Sequence, residues 1–496
     1  MSEIRMKTAP GRWILLATVL GSGIAGIDAT VVNVALPTIG ADLGTDFAAL
    51  QWMVTGYTLT LASFILLGGS LGDRYGRRRI FVIGVVWFAV ASLLCGLAPD
   101  AGLLIAARAL QGIGGALLTP GSLAIIQASF SGEDRARAIG AWSGLGGVAT
   151  AIGPFLGGWL VESVSWRWVF LINVPIAVAV VWIAARHVPE TRDPDATGRL
   201  DIPGAVLGAL ALAGTTYALI EAPAQGVTAP AVLGSAAVGL VAAALFLLVE
   251  QRTEHPMLPL RIFRNRQFTA TNAVTFLIYA VFGGTFFLLV LHLQVVAGFS
   301  PLASGIAMLP VTALMLLLSP WAGALSSRIG PRLPMTVGPL VCAVSLVLML
   351  RIGQDASYLL DVLPPVFILG LGLSLLVAPL TATALSSVPE RQVGLASGVN
   401  NAVARAAGLI AIAVLPAAVG LTGEVYSDPV QFAAGFDAAC LIGAVVLVLG
   451  GLLAAFAIRD PGPAPVGTSE AAHPAHCAVD GPPTAPGALE DRPHQN

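Results

Sequence analysis

Fourteen runs of mostly apolar residues, each about 20 long, leave this chain few ways to fold. They lie near 13–37, 51–71, 79–98, 101–128, 137–161, 168–185, 202–220, 231–249, 268–292, 302–325, 334–352, 359–386, 394–418 and 434–458. A hydrocarbon layer of ~30 Å needs about 20 such residues per helix. Inside that layer each segment must satisfy its own backbone polar groups, which a helix does. Only 10% of the residues are charged and 56% are hydrophobic, with a mean hydropathy of +0.85. Soluble domains carry about 25% charge, so lipid is the solvent here and no stretch remains for a soluble catalytic domain. The sequence predicts an all-α polytopic membrane protein.

Basic residues orient it. With the N-terminus inside, the inner segments hold 21 of the 25 Lys and Arg residues, the outer loops hold only Arg167 and Arg351, and Arg108 and Arg405 fall within spans. This is the positive-inside pattern, and it places both termini on the cytoplasmic side. The first run follows Arg5, Lys7 and Arg12. It is too long for a signal-peptide core and contains Asp28, so it reads as an uncleaved helix. Cys95, Cys342 and Cys440 lie in spans and Cys477 in the tail, which indicates no extracellular disulfide framework. A single lysine among 24 arginines suggests a high-GC bacterial genome.

The chain divides into a cytoplasmic N-terminus (1–12), six spans (13–190), a linker with two further spans (191–250), a cytoplasmic segment (251–267), six more spans (268–458) and a disordered tail (459–496). Leu258, Leu260, Ile262 and Phe263 interleave with Arg261, Arg264 and Arg266. That pattern suits a short amphipathic helix on the inner leaflet and equally an ordinary basic loop. A weak repeat supports two related halves. The turn Gly72-Asp73-Arg74-Tyr75-Gly76-Arg77-Arg78 is echoed by Ser326-Ser327-Arg328-Ile329-Gly330-Pro331-Arg332, and Thr119-Pro120 by Ala378-Pro379. In the tail, His473, His476 and Cys477 resemble a metal ligand set, but biased composition accounts for them better.

Among chemistry-bearing groups, the phosphate-binding GxxxxGK[ST] loop is absent and Lys7 is the only lysine, which excludes ATP-driven transport by this chain alone. What remains are polar groups inside spans, where they are costly and mark function by default. Asp28 lies ~14 Å, Arg108 ~10 Å and Gln111 ~15 Å from the outer ends of their spans at 1.5 Å per residue. Matching depth suits a carboxylate that takes up and releases protons beside an arginine; the alternative is a static pair holding two helices together. Arg405, beside Asn400 and Asn401, either faces a cavity or caps backbone carbonyls. Gly140, Gly144, Gly146 and Gly147, followed by Gly153-Pro154-Phe155-Leu156-Gly157-Gly158, give span 5 a small face suited to close helix approach.

These blocks together resemble the major facilitator superfamily, and within it the fourteen-span drug:proton antiporter branch. The likeness rests on Ile27-Asp28-Ala29-Thr30-Val31-Val32-Asn33 to Pro37, Gln51-Trp52 with Tyr57, the loop Gly69 to Arg78, Arg108-Ala109-Leu110-Gln111-Gly112, Gly153-Pro154 with Gly157-Gly158, and Trp166 to Pro175. The resemblance implies two six-helix bundles with two extra helices between them, alternating access, and proton uptake in exchange for outward drug movement. It implies proton coupling at Asp28 and Arg108, and a substrate cavity touching Asn33, Tyr57, Gln111, Gln294, Asn400 and Arg405. It also implies an antiporter motif at Gly153, Pro154, Gly157 and Gly158. Gly69, Asp73, Arg74, Gly76, Arg77 and Arg78 are the implied latch that shuts the inner side against the second bundle, with Glu133 or Asp134 as ionic partners. Ser327 stands where the second turn should carry an aspartate, and Phe367 and Gly370 stand for the arginine and glutamine, so charge is concentrated in the first half.

The expected protein is not an enzyme and carries no cofactor, since a proton gradient drives it. Its partners are protons, lipid and small amphipathic or hydrophobic substrates, with no nucleic acid. It acts as a monomer in the bacterial inner membrane. The alternatives are a dedicated exporter of an endogenous metabolite or lipid, and a non-transporting membrane sensor or scaffold.

Overall fold

The computed structural model describes residues 5–193, 200–254, 256–389, 392–423 and 428–460, excluding the side chains of 133, 136, 143 and 151. Among these residues every regular element is helical, and fourteen helices are long and apolar enough to cross a membrane. In order, spans 1 to 7 are Ala9–Leu43, Phe47–Tyr75, Arg77–Gly96, Ala101–Ser129, Arg137–Ser163, Trp168–His187 and Ile202–Gln225. Spans 8 to 14 are Pro230–Arg252, Arg266–Val295, Pro301–Ile329, Arg332–Met349, Tyr358–Ser386, Val393–Ala418 and Pro429–Ala457. The expected linker residues 194–199, the tail beyond 460 with its His473, His476 and Cys477, and the Glu133 side chain lie outside the described residues.

Local chemistry sets the helix ends. The side chains of Thr8, Asp46, Asp100, Asp201, Asn265, Ser300 and Asp428 accept hydrogen bonds from first-turn N–H groups, donors that otherwise have no partner at a helix start. Gly76 and Gly330 close spans 2 and 10 at φ 118° and 88°, a region that side-chain-bearing residues avoid. The two repeat-related turns therefore share one backbone device.

The repeat extends to packing. In the first half span 4 packs on 2 and 3, span 1 on 5 and 6, and span 3 on 6; in the second, span 12 packs on 10 and 11, span 9 on 13 and 14, and span 11 on 14. Arg78 Nη1 donates to Val188 O at the end of span 6 (3.1 Å), and Arg332 Nε donates to Ala455 O near the end of span 14 (2.6 Å). Each turn thus caps the last helix of its own bundle with a cation, where the helix dipole favours one. The molecule is two six-helix bundles with two additional helices.

Spans 7 and 8 pack mainly on each other, with Gly214 and Gly239 at their closest approach, and span 7 flanks the seam where span 2 meets span 13. The segment after span 8 forms one 3-10 turn, Leu260–Arg264. Ile262 is buried with Phe268, Ala396 and Val399 while Arg261 and Arg264 stay exposed. Its apolar side packs on the second bundle.

Candidate functional site

Five spans of the first bundle converge on one buried polar cluster. Asp28 of span 1 and Arg108 of span 4 are 0% and 1% exposed, and Arg108 Nη1 meets Asp28 Oδ2 at 2.5 Å. The other carboxylate oxygen accepts from Gln111 Nε2 at 2.8 Å and Asn173 Nδ2 at 3.1 Å. Gln111 Oε1 accepts from Arg108 Nη1 at 2.6 Å, and Arg108 Nε donates to Met53 O of span 2 at 3.1 Å. Ser92 Oγ of span 3 takes hydrogen bonds from both amides and donates to Phe170 O. The guanidinium carbon lies 4.4 Å from the Tyr57 ring centroid and 5.7 Å from that of Phe170, which adds cation–π attraction in a desolvated setting. Buried charges survive when paired and hydrogen-bonded, and both members of this pair are.

Sequence depth anticipated that Asp28, Arg108 and Gln111 would meet. Asn173 and Ser92 were not foreseen as partners, although Asn173 sits inside the quoted Trp166 to Pro175 block. Span 6 is broken at Ile172 into Trp168–Leu171 and Asn173–His187, so Asn173 begins a new helix segment beside Asp28.

The remaining expected cavity residues disperse. Tyr57 is buried over Arg108, and Asn33 is part-buried with its Oδ1 lacking a partner among the described residues. Arg405 is part-buried and donates from Nε to Asn401 Oδ1 at 3.1 Å. Asn400 turns to span 9, donating to Asn272 Oδ1 and Thr275 Oγ1 within the second bundle. Gln294 donates to Val34 O at 3.0 Å, and Gln51 to Ile412 O at 2.6 Å. Both bonds join the two bundles in their outer halves.

That outer contact is closed. Gly158 lies against the backbone of Pro301 and Leu302, and Gly305 against Pro154 O; the Phe47 and Phe287 rings sit 5.8 Å apart within a continuous apolar cluster. Gly153 and Gly157 pack on Thr30 and Val31 of span 1. The motif glycines of span 5 thus serve two close approaches, one within the bundle and one across the seam. The upstream glycines behave otherwise: a Cβ added at Gly140, Gly144, Gly146 or Gly147 would meet nothing within 4 Å. Close packing does not explain them in this arrangement, which is sealed outside and open along the inner half of span 5.

At the inner end of span 2, Asp73 pairs with Arg77 at 2.8 Å. Arg77 N donates to Thr191 O, Asp193 N to Asp73 O, and Arg78 N to Glu190 Oε1 at 3.1 Å. The contacts described for Asp73, Arg77 and Arg78 stay within the first bundle, on a segment (188–193) the sequence did not single out. Asp134 instead accepts from Met6 N and lies 3.9 Å from Arg137, so it is not the partner expected for Arg77 or Arg78. A Cβ on Gly69 would meet Pro120 at 3.7 Å, and Arg74 lies over the Tyr75 ring. A Cβ on Gly76 would lie 2.6 Å from Glu190 Oε1 at a φ of 118°. Gly76→Ala is expected to cost about 1–2 kcal/mol from backbone conformation alone, read as a lowered Tm of the purified protein. An unchanged Tm would contradict the strain assigned to this turn.

Two related bundles among fourteen candidate membrane spans, with an ion pair buried inside the first of them, define a multi-pass membrane protein. Comparison makes this specific: the Major Facilitator Superfamily profile matches residues 18–412, and the chain belongs to that family. It is 36% identical over 402 residues to the multidrug resistance protein Stp of Mycobacterium tuberculosis, covering 81% of this chain and 74% of that protein. It is 36% identical to the tetracenomycin C resistance and export protein of Streptomyces glaucescens (84% and 77% covered) and 35% to the methylenomycin A resistance protein of Bacillus subtilis (85% and 90%). Among solved structures, an inward-facing, unoccupied bacterial homologue of the human lysosomal transporter Spinster covers 92% of this chain at TM-score 0.65 and 18% identity. At that identity the likeness concerns the fold.

Proposed function

We propose that the chain exports drugs or antibiotics in exchange for protons by alternating access, as a monomer in the bacterial cell membrane, with the proton gradient in place of any cofactor. The observation that carries this reading is the Asp28–Arg108 pair, wholly buried beneath Tyr57 at mid-bundle. In the inward-open arrangement Asp28 holds Arg108. Once the molecule opens outward, protonation from that side releases the hold, and Arg108 stays with Gln111 Oε1, Met53 O and the Tyr57 face, all already in contact. A proton bound at Asp28 thereby changes how spans 1, 2 and 4 are tied together, and that is a differential interaction able to shift a two-state equilibrium. The resistance names of the relatives support drug-like substrates.

A hypersensitive bacterial host with and without the protein, challenged with a drug panel and a proton uncoupler, tests the proposal. Resistance is expected to rise at least fourfold for several compounds and to vanish with the uncoupler. Resistance that survives collapse of the gradient would sink the coupling. The export name of the Streptomyces glaucescens relative favours a second reading, a dedicated metabolite exporter, in which one compound of the panel responds and the rest do not.

A further inference from the structure

We infer that Arg405 makes the seam between the bundles a recognition site for an amphipathic organic anion, so that the exported compounds carry a carboxylate, sulfonate or acidic phenol. The inference rests on the exporter reading and adds the substrate's charge. Arg405 is placed by its neighbours along span 13. Seven residues before it, Gly398 packs on Leu66 of span 2; seven residues after it, the Ile412 carbonyl takes the hydrogen bond from Gln51 of the same span. Seven residues are about two helical turns, so Arg405 lies midway on the face turned to the first bundle, away from lipid. Tyr57 of span 2 and Tyr279 of span 9 are both within electrostatic reach of its guanidinium. Three helices from both bundles therefore bring one cation and two phenol-bearing rings to a common place.

The charge is uncompensated. Among the described residues Arg405 forms no ion pair, and its hydrogen bond to Asn401 employs Nε, leaving the two terminal nitrogens without a described partner. Asp28, the acid of the neighbouring cluster, is already held by Arg108. A lone cation within a membrane span is costly and marks a functional site by default. A planar guanidinium matches an oxyanion through two parallel hydrogen bonds, and the aromatic rings suit the apolar body of the same molecule. Driving force agrees, because an organic anion leaves a negatively charged interior down the membrane potential.

The test compares two probes sharing one scaffold: anionic 1-anilinonaphthalene-8-sulfonate and neutral N-phenyl-1-naphthylamine. Binding of each to the full chain in lipid nanodiscs is measured by fluorescence after subtracting empty discs. Wild type is expected to bind the sulfonate at least tenfold tighter than the neutral probe. Arg405→Gln is expected to lose that tenfold for the sulfonate and leave the neutral probe unchanged. Arg405→Lys, which keeps the charge but loses the guanidinium fork, is expected to bind the sulfonate between wild type and Arg405→Gln and to leave the neutral probe unchanged, which reports that the site still folds. Equal binding of both probes by wild type overturns the inference, as does an equal loss of both in Arg405→Gln. Gradient-driven flux in proteoliposomes separates the two claims. Arg405-dependent sulfonate binding without flux leaves the anion site standing and removes the exporter reading; flux of the neutral probe with no Arg405 dependence does the reverse.

Discussion

Asp28→Leu and Arg108→Met are each expected to destabilise the protein by about 3–5 kcal/mol, and the double substitution by far less than their sum. Either single change strands a charge at a site 0% or 1% exposed, with no water to receive it. The stranded partners also differ. Without Asp28, Arg108 keeps Gln111 Oε1, Met53 O and the Tyr57 face. Without Arg108, Asp28 keeps only the amides of Gln111 and Asn173, and it can shed its charge by taking a proton. Arg108 cannot shed its charge, so Asp28→Leu is expected to have the lower Tm of the two. All three variants are expected to lose gradient-driven efflux, including the refolded double. Asp28→Asn is the sharper transport probe because it keeps an acceptor oxygen beside Arg108 while removing the titratable group. Thermal unfolding in detergent, paired with efflux in cells, reads both effects. Additive losses in the double variant would mean that the pair is not a unit, and full efflux by Asp28→Asn would remove the proton role altogether.

The sequence disclosed most about what is periodic or charged. Each span advertises itself through about twenty apolar residues, and the arginines of the turns orient them all. Even the meeting of Asp28 with Arg108 was legible, because depth can be counted from a helix end at a fixed rise per residue. Rotation about the helix axis cannot be counted that way. Asn400 and Arg405 are five residues apart, so one faces span 9 and the other span 2; their shared polarity gave no hint of this. Gln294 is polar and in-span as a cavity residue would be, yet it ties span 9 to the Val34 carbonyl. Glu190 was missed because its partners Gly76 and Arg78 lie 112 or more residues away. The span 5 glycines show the same limit: sequence displays seven of them, and only packing says which another backbone approaches.

That division among the glycines predicts opposite effects within one helix. A Cβ on Gly158 would lie 2.5 Å from Pro301 O and 2.6 Å from the Leu302 Cα, whereas one on Gly144 meets nothing within 4 Å. Gly158→Val therefore cannot be accommodated while the outer seam is closed, because the obstructing atoms belong to backbone and cannot turn aside. Relief comes from parting the bundles on that side, which favours the outward-open arrangement. Gly144 lies on the inner half of the same helix with open space around it. It is fourteen residues or about four turns from Gly158 and so on nearly the same face. On the proposed alternating-access cycle that face meets the second bundle when the inner side closes. Gly144→Val is expected to leave the present arrangement untouched and to oppose its outward-open alternative. Both variants are expected to lose at least tenfold in efflux rate, for opposite reasons. A single cysteine at Leu36, fully buried in the outer seam and placed in a background free of native cysteines, distinguishes them. A membrane-impermeant thiol reagent added outside is expected to label it at least tenfold faster in Gly158→Val than in wild type, and more slowly in Gly144→Val. Both variants moving the same way would mean that span 5 rocks as no hinge between the two seams, and that its glycines are tolerated gaps.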